Sequence, residues 1–348
     1  MKKPRITVAV TALNAVDSPG PGVGVIRSIL ACEDYEARII GLSYESLEPG
    51  VYMHDLVDKS YQIPYPGAGS DQLLNRLEYI HSQEKIDVII PNFDSELSHF
   101  IRLSPVLEEW GIHLFLPSPQ QLESLDKLHL HEFGEKHGFN VPKTKFIANK
   151  VEIPGLVEEF DFPMVVKGKY YEAYIAHNLG QVSGYYDKIN AKWGLPVVIQ
   201  EFVKGTEIDI AGLGDGTGQL MGAIPMRKLY ITDKGKGWSG VVLGDDGLIE
   251  MSRQFIRASR WKGGFELELM RTDDEQFYLM EINPRFPAWI YTTVEAGQNL
   301  PAALVKMAIG MKVKPYKGYN VGKMFVRYSW DLITDISEFE KISTMGEL

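Results

Sequence analysis

Three side chains between residues 263 and 287 could hold a divalent metal ion. That segment, GGFELELMRTDDEQFYLMEINPRFP, has two stretches of alternating apolar residues around a polar turn, a pattern that predicts a β-hairpin. Side chains two apart on a strand point the same way, so Glu281 and Asn283 share a face, and the hairpin can bring Glu268 beside them. Two carboxylates and an amide oxygen suit magnesium, which also binds phosphate oxygens.

Arg285 lies two residues beyond Asn283 and points to the same side, where its forked donors could hold a phosphate or a carboxylate. Crowding two carboxylates without a cation is unfavourable, so the arrangement predicts a cation. The alternative is an edge hairpin whose solvated face is acidic.

A second group of polar residues lies upstream. FPMVVKGKY places Lys167 at the end of a buried strand, where its charge could reach phosphate groups. In LPVVIQEFVKGTEIDI, an apolar strand runs out near Phe202 and Val203, which could cover an adenine ring while the backbone bonds its edge. Glu207 follows at a distance at which its carboxylate could accept both ribose hydroxyls.

The order of these motifs resembles the ATP-grasp superfamily, and most closely its carbamoyl-phosphate-synthase-like and carboxylate–amine ligase branch. The resemblance covers roughly residues 118–310. The motifs that carry it are Lys127 in SLDK, Lys167 in MVVK, QEFVKGTE at 200–207, Glu268, and EINPR at 281–285.

The resemblance implies a role for each matching position. For the nucleotide these are Lys127 and Lys167 at the ATP phosphates, Glu201, Phe202 and Val203 at the adenine hinge, and Glu207 at the ribose. Gln200 shares the hinge if the alignment slips by one residue, and a solvated helix lysine is the alternative for Lys127. The metal positions, for magnesium or alternatively manganese, are Glu268, Glu281 and Asn283. Arg285 would face the reacting phosphate or the acyl substrate.

A further cationic pair, Arg227 and Lys228, ends a strand and could reach the triphosphate or the acyl phosphate. The stretch that follows, DKGKGWSG, predicts a loop that grips substrate, or else an ordinary mobile hairpin tip. One segment departs from the family pattern, because GKYYEAYIAHN at 168–178 has three tyrosines where a glycine-rich loop is usual. It predicts a stiffer flap, or one in which Lys169, Tyr171 or His177 contacts substrate.

The elements that position these residues fall into two parts. Short apolar strands alternate with amphipathic stretches at first, which predicts a parallel sheet covered by helices. Ser118 before Pro119 and the later Gly138 predict one long connecting helix, and the strands beyond it look antiparallel or mixed. The fold class is therefore α/β and α+β, and the resemblance implies ATP between two subdomains of the second part. The predicted domains are a preATP-grasp domain at 1–118, an ATP-grasp domain at 119–330 with a small lid at about 145–203, and a C-terminal tail at 331–348.

The glycine-rich stretch GPGVGVIRS at 20–28 follows the first strand. Gly20, Gly22 and Gly24 could let backbone amides approach an anionic group at a helix start, and a tight strand-to-helix turn is the alternative. Arg27 stands where a dinucleotide fingerprint has its last glycine, which disfavours such a site.

Composition excludes several classes of protein. The 36 basic residues are scattered and are outnumbered by 46 acidic ones, for a formal charge of −10, so we expect no nucleic-acid partner. The single cysteine, Cys32, excludes an intramolecular disulfide and a thiolate metal cage. No apolar run reaches the length of a membrane span, and the N-terminal segment fits a buried strand better than a signal peptide. We expect a cytoplasmic protein with no membrane partner.

The resemblance implies an ADP-forming ligase that uses ATP and magnesium. A substrate carboxylate would take the γ-phosphoryl group, and an amine would then attack the acyl phosphate to form a C–N bond. The substrates would be small molecules or amino acids. Dimers are common among similar enzymes, so the resemblance is compatible with a homodimer, but the sequence does not determine the oligomeric state. Two alternatives stay open: a bicarbonate-activating carboxylase or carbamoyl-phosphate-synthase-like enzyme, and an ATP-binding regulator without catalysis.

Overall fold

A computed structural model describes residues 3–16, 19–125, 129–168, 172–232 and 237–348. The chain forms two compact units. The first unit comprises Met1–Gln121, Asp209–Glu266 and Asn283–Leu348, and the second comprises Leu122–Ile208 and Leu267–Ile282.

The N-terminal part of the first unit is a four-stranded parallel sheet covered by helices, as the sequence predicts. Its elements are β1 (Arg5–Val10), α1 (Gly22–Leu30), β2 (Glu36–Ser43), β3 (Lys59–Gln62), α2 (Ser70–Glu84), β4 (Val88–Ile90) and α3 (Asp94–Glu109). The strand order is β3-β2-β1-β4. Both faces are apolar, because Val8 packs in one core with Ile26 of α1 while Ala9 packs in another with Leu77 of α2. Burial on both faces explains the continuous apolar runs of β1 and β4.

The predicted long connecting helix is wrong in one respect, because the described residues form two short helices, α4 (Pro119–Ser124) and α5 (Leu130–His137). The predicted ends are correct: Ser118 Oγ accepts a hydrogen bond from Gln121 N at 3.2 Å, and Gly138 ends α5 in the left-handed conformation. Leu125 and Leu130 are both buried although they are five residues apart. Positions five apart do not share one stripe of a helix, so an interruption allows both to be buried.

The second unit contains a four-stranded antiparallel sheet with one helix. Its elements are β5 (Thr144–Ile147), β6 (Met164–Lys167), β7 (Ala173–Ala176), α6 (Leu179–Trp193) and β8 (Val197–Glu201), and the strand order is β5-β8-β6-β7. Val166 and Ile199 pack in one core with Tyr186 of α6. Residues of β6 and β8 that alternate with these two therefore point to the opposite face of the sheet.

A six-stranded sheet follows, with the order β13-β12-β9-β10-β11-β14. The remaining elements are β9 (Thr206–Asp215), β10 (Leu220–Ile231), β11 (Gly237–Val242), α7 (Asp246–Ser259), β12 (Lys262–Arg271), β13 (Phe277–Asn283), α8 (Tyr291–Glu295), α9 (Leu300–Ala308), β14 (Met324–Val326) and α10 (Ile336–Met345). β12 and β13 are adjacent, which confirms the predicted hairpin. The boundary between the two units runs through β9, β12 and β13.

The glycine-rich stretch at the start of α1 forms a tight turn. The amides of Gly20 and Gly22 donate to Asn14 O and Ala12 O at 2.8 and 3.0 Å, so both donors are already used inside the loop. A Cβ on Gly22 would lie 2.2 Å from Thr11 O, so only glycine fits this close approach. The geometry favours the turn over an anion site. Within the described ranges, no helix is long and apolar enough to cross a membrane.

Candidate functional site

Lys167 and Gln200 line the same recess in the second unit. They lie on the neighbouring strands β6 and β8, with Lys167 opposite Val198 in the register. Because Val166 and Ile199 face α6, Lys167 and Gln200 face the other side of the sheet. The recess opens to solvent and is bounded by Leu130, His131, Val141, Thr144, Lys167, Val198, Gln200 and Met280.

The Gln200 side chain is 5 % exposed, and a chain of hydrogen bonds fixes the orientation of its amide. The Thr144 hydroxyl donates to Pro142 O at 2.9 Å, so its oxygen accepts from Gln200 Nε2 at 3.2 Å. Gln200 Oε1 therefore points away from Thr144, and it is buried without a donor among the residues that the structure describes. An unpaired buried oxygen is unfavourable by about 1–3 kcal/mol. The recess thus favours a ligand that donates an N–H group.

The other predicted hinge residues, 201–203, follow Gln200 and differ from it in exposure and in hydrogen bonding. Glu201 is exposed, its carboxylate accepts from Lys143 N at 3.1 Å, and its own N–H donates to Lys143 O at 2.9 Å. The Glu201 side chain thus points toward Lys143, so a role in the hinge would use its backbone. Phe202 and Val203 lie in irregular backbone beyond β8, and Val203 is buried.

The turn between β8 and β9 approaches β12 closely. A Cβ on Gly205 would lie 2.2 Å from Arg271 O, so this position requires glycine. Glu207, the predicted ribose ligand, is half-buried at the start of β9.

Three residues that the sequence predicts at the nucleotide or the substrate are not among the described residues. They are Lys127, Lys169 and Tyr171. In the described part of the flap, the Tyr174 ring stacks on Tyr185 of α6 with centroids 4.7 Å apart. This packing holds the described Tyr174 against α6, and the prediction that Lys169, Tyr171 or His177 contacts substrate stays a prediction.

Glu268 and Glu281 lie on the adjacent strands β12 and β13 and are both half-buried. Glu281 directly follows Met280, which lines the recess, so the side chains of these two residues point to opposite faces of β13. In the described part of the chain, no three His, Cys, Asp or Glu side chains gather as metal ligands. The predicted set contains only two carboxylates, so it depends on the amide oxygen of Asn283 as its third ligand.

Glu266 organises a buried polar cluster in the first unit, a role that the sequence pattern did not indicate. Its Oε2 accepts from Asn283 Nδ2 at 2.9 Å and from Arg285 Nη1 at 3.1 Å, and its Oε1 accepts from Trp289 Nε1 at 3.0 Å. Arg285 Nε also lies 3.3 Å from Asp94 Oδ1. Asn283 and Arg285 therefore share a face, as the spacing predicts. Donation by Nδ2 directs the Asn283 Oδ1 away from Glu266.

Arg227 and Lys228, the predicted cationic pair, lie side by side on β10 but differ in their surroundings. Lys228 is buried in an ion pair, with its Nζ 3.3 Å from Asp209 Oδ1, whereas Arg227 is exposed. Neighbouring residues on β10 point to opposite faces of the sheet, so the two cannot act together on one ligand.

Arg327 is a half-buried cation near Glu266 that the sequence pattern also missed. Its Nη1 is buried and has no hydrogen-bond partner within the described ranges. Burial lowers the pKa of Arg327, and the charge of Glu266 opposes that shift. A buried guanidinium N–H without an acceptor suits an anionic ligand.

The carboxyl ends of three parallel strands meet at Glu96 on α3. The Glu96 carboxylate accepts hydrogen bonds from the hydroxyl groups of Thr11, after β1, and Tyr44, after β2. It also accepts from the amides of Asn92 and Phe93, after β4, at 2.8 and 2.9 Å. Burial raises the pKa of Glu96 to about 7 against these bonds. Open parallel sheets bind ligands at this edge, and the site is visible only once β4 is placed beside β1.

Residues 195–329 match the protein family described as "ATP-grasp in the biosynthetic pathway with Ter operon". Among curated proteins, the carbamoyl phosphate synthase large chain of Clostridium beijerinckii is 24% identical over 282 residues, which are 77% of this chain and 25% of that protein. The chain spans 55% and 25% of the lengths of the first two curated relatives. These matches confirm the resemblance to the ATP-grasp superfamily and its carbamoyl-phosphate-synthase-like members.

Solved structures carry the same fold. The biotin carboxylase domain dimer of Hydrogenobacter thermophilus 2-oxoglutarate carboxylase, in complex with MgADP, ADP and bicarbonate, is 16% identical with a TM-score of 0.70, over 91% of this chain and 73% of that one. The L-amino acid ligase of Bacillus licheniformis is 14% identical with a TM-score of 0.68, over 89% and 75%. The predicted fold class is confirmed.

Proposed function

We propose that this chain, which has the ATP-grasp fold, is an ATP- and magnesium-dependent ligase that joins a carboxylate to an amine. The observation that carries the proposal is the buried, unpaired Gln200 Oε1 in a recess that also holds Lys167. A hydrogen-bond acceptor and a cation in one recess match the two ends of an adenine nucleotide.

Adenine fits this recess better than guanine. The exocyclic amine of adenine donates N–H groups, whereas guanine has a carbonyl oxygen at the same ring position. With its amide held by Thr144, Gln200 accepts from the amine and repels the carbonyl. In this proposal Lys167 binds the phosphates, Glu207 binds the ribose, and the backbone of 201–203 completes the adenine contact.

The residues present also fit a magnesium site. Glu268, Glu281 and Asn283 would supply hard oxygen ligands, and the hydrogen bond to Glu266 restrains the Asn283 amide. Magnesium bound there would neutralise charge on the phosphate oxygens. Lys127 remains a predicted phosphate ligand on the family resemblance alone.

The reaction then needs positioning and charge stabilisation more than a protein nucleophile. An oxygen of the substrate carboxylate attacks the γ-phosphorus. The bond from the γ-phosphorus to the bridging oxygen of ADP breaks, which yields an acyl phosphate and ADP. The amine attacks the acyl carbon, loses a proton, and displaces inorganic phosphate. Arg285 and Arg327, both near Glu266, supply N–H donors for the carboxylate and the acyl phosphate.

The test is incubation of the whole chain with ATP, magnesium and a pool of amino acids. We expect ADP and phosphate in equal amounts, dependent on the pool, and a hydroxamate when hydroxylamine replaces the amine. Absence of ADP in every mixture, with ATP still bound, would contradict the ligase and favour a regulator.

A bicarbonate-activating enzyme is the second candidate, because carbamoyl phosphate synthases and a biotin carboxylase domain resemble this chain. Release of ADP that depends on bicarbonate and is indifferent to amines would favour that reaction. The same assay therefore separates the two.

A further inference from the structure

A second recess, which belongs entirely to the first unit, lies at the carboxyl end of β4. Open α/β sheets bind ligands at this edge, and we call it the sheet-edge recess. Its two polar side chains, among the described residues that line it, are Asn92 and Arg285. The other lining residues are apolar or glycine, and the largest of them are Phe115, Leu116 and Phe286.

The Asn92 side chain is 2% exposed, and its amide has one orientation. Asn92 Nδ2 donates to Ile90 O at 2.9 Å, and a carbonyl oxygen can only accept. Asn92 Oδ1 therefore points away from Ile90 O, and it is buried without a donor among the described residues. The backbone N–H of Asn92 donates to Thr11 Oγ1 and to Glu96 Oε1, at 2.8 Å each, which fixes the residue in place. A buried acceptor without a donor is unfavourable, so this position suits a ligand that donates a hydrogen bond.

The charge at the sheet-edge recess comes from Arg285. Its Nη1 donates to Glu266 Oε2 at 3.1 Å, and its Nε lies 3.3 Å from Asp94 Oδ1. These two carboxylates are thus paired with a cation already, and none of the described lining residues is acidic. An ammonium ion binds best to a carboxylate, whereas an amide oxygen also accepts from an uncharged N–H. The recess therefore favours an amine without charge, which is the form whose nitrogen lone pair can attack an acyl carbon.

We propose that the sheet-edge recess binds the amine substrate as its free base, with an amine N–H donated to Asn92 Oδ1. The inference rests on the ligase proposed above, in which Arg285 donates to the carboxylate or the acyl phosphate. Because Arg285 lines the same recess as Asn92, an amine on Oδ1 lies beside the acyl group that Arg285 binds.

The arrangement also accounts for the bonds that change. The nitrogen lone pair forms the C–N bond, and phosphate leaves with the electrons of the C–O bond. The departing phosphate takes the proton that the nitrogen loses. The apolar walls at Phe115, Leu116 and Phe286 limit the access of water, the competing nucleophile, to the acyl phosphate.

Asn92→Leu tests the amine site, because it removes the acceptor with little change of size. The whole chain is assayed with ATP, magnesium and the amino-acid pool, and hydroxylamine is the amine probe because it is uncharged near neutral pH. We expect hydroxamate formation to saturate with hydroxylamine, and the KM for hydroxylamine to rise about tenfold in Asn92→Leu. The turnover number and the KM for ATP should stay within about twofold of wild type, as for a bond that contributes to binding alone.

Asn92→Asp tests the preference for an uncharged amine. It keeps an oxygen at the position of Oδ1, so the KM for hydroxylamine should stay within about threefold of wild type. Its carboxylate can pair with an ammonium ion, so the ratio of the KM for methylamine to that for hydroxylamine should fall about tenfold. ADP release measures both constants, and an unchanged ratio would overturn the free-base assignment. Asn75→Leu, at an exposed position on α2, is the control and should change none of these constants.

The same assay separates failure of the amine site from failure of the ligase. An unchanged KM for hydroxylamine in Asn92→Leu, or a hydroxamate rate that rises linearly with hydroxylamine, would overturn the amine site and leave the ligase in place. A turnover number and a KM for ATP that change as much as the KM for hydroxylamine would show a structural role and overturn it as well. A wild-type chain that forms no hydroxamate would contradict the ligase itself. If Asn92→Leu does not fold, Asn92→Ser, which is smaller and also lacks the amide, has the same expected results.

Discussion

Glu266 in the first unit and Gln200 in the second are both buried acceptors on strands, but their donors differ. Three side chains donate to Glu266, from Asn283, Arg285 and Trp289. Gln200 Oε1 has no donor in the described part of the chain. An acceptor whose hydrogen bonds are all made within the protein holds its donors in place, whereas a buried acceptor without a donor can bind a ligand that supplies one. We therefore propose that Glu266 positions its neighbours and that Gln200 binds the ligand.

The largest expected effect is on activity alone, at Glu281. Glu281→Ala removes a proposed magnesium ligand, so ADP formation should fall about 1000-fold or more. Because Glu281 is half-buried, the melting temperature should change little. Glu275→Ala, in the exposed turn of the same hairpin, is the matched control. Steady-state ADP release that matches wild type would exclude Glu281 from the site.

Glu266→Ala, in contrast to Glu281→Ala, should lower the stability of the folded chain as well as its activity. Arg285 and Trp289 lose a buried acceptor, so the free energy of unfolding should fall by about 3–5 kcal/mol. The turnover number should also fall, because Asn283 and Arg285 lose their orientation, while the KM for ATP stays close to wild type. Urea denaturation and steady-state kinetics measure the two effects. The exposed Glu109→Ala on α3 is the control, and unchanged stability in Glu266→Ala would refute the positioning role.

A third buried acceptor, Glu96, predicts a pH dependence. Its pKa is about 7 in the folded chain against 4.5 ordinarily, so the folded state holds the proton more tightly. The resulting stability is complete below about pH 4.5 and is lost as the pH rises through 7, by about 2–3 kcal/mol. Glu96→Gln should flatten that slope. Urea denaturation between pH 5 and 8 measures it, and equal slopes in both proteins would contradict the raised pKa.

The smallest expected effects concern the orientation of Gln200. Gln200→Leu removes the acceptor, so the Kd for ATP should rise about tenfold. Thr144→Val keeps the Gln200 amide but frees it to rotate, which should reduce the preference for ATP over GTP by about twofold to fivefold. Calorimetric titration with both nucleotides measures the change. Wild-type affinity and selectivity in both variants would show that Gln200 does not contact the base.

Local pattern was enough to predict the elements that carry the proposed chemistry. Alternation of Phe265, Leu267 and Leu269 identified β12, and all three are fully buried. The continuous apolar run at Val88–Ile90 identified β4, which lies at the end of the order β3-β2-β1-β4 and is buried. Helix α3 escaped prediction because Pro105 lies inside it and reads as a helix break.

The partners of the site residues could not be predicted in this way. The donor Trp289 lies 23 residues beyond its acceptor Glu266 in the sequence. The orientation of Gln200 depends on Thr144, 56 residues upstream. Such contacts arise from packing between elements, which periodicity does not encode.

The most direct test of the account is a crystal structure with a non-hydrolysable ATP analogue and magnesium. We predict the adenine amine within hydrogen-bonding distance of Gln200 Oε1, phosphates near Lys167, and metal on Glu268, Glu281 and Asn283. A nucleotide bound elsewhere, or bound with those three side chains free of metal, would contradict it.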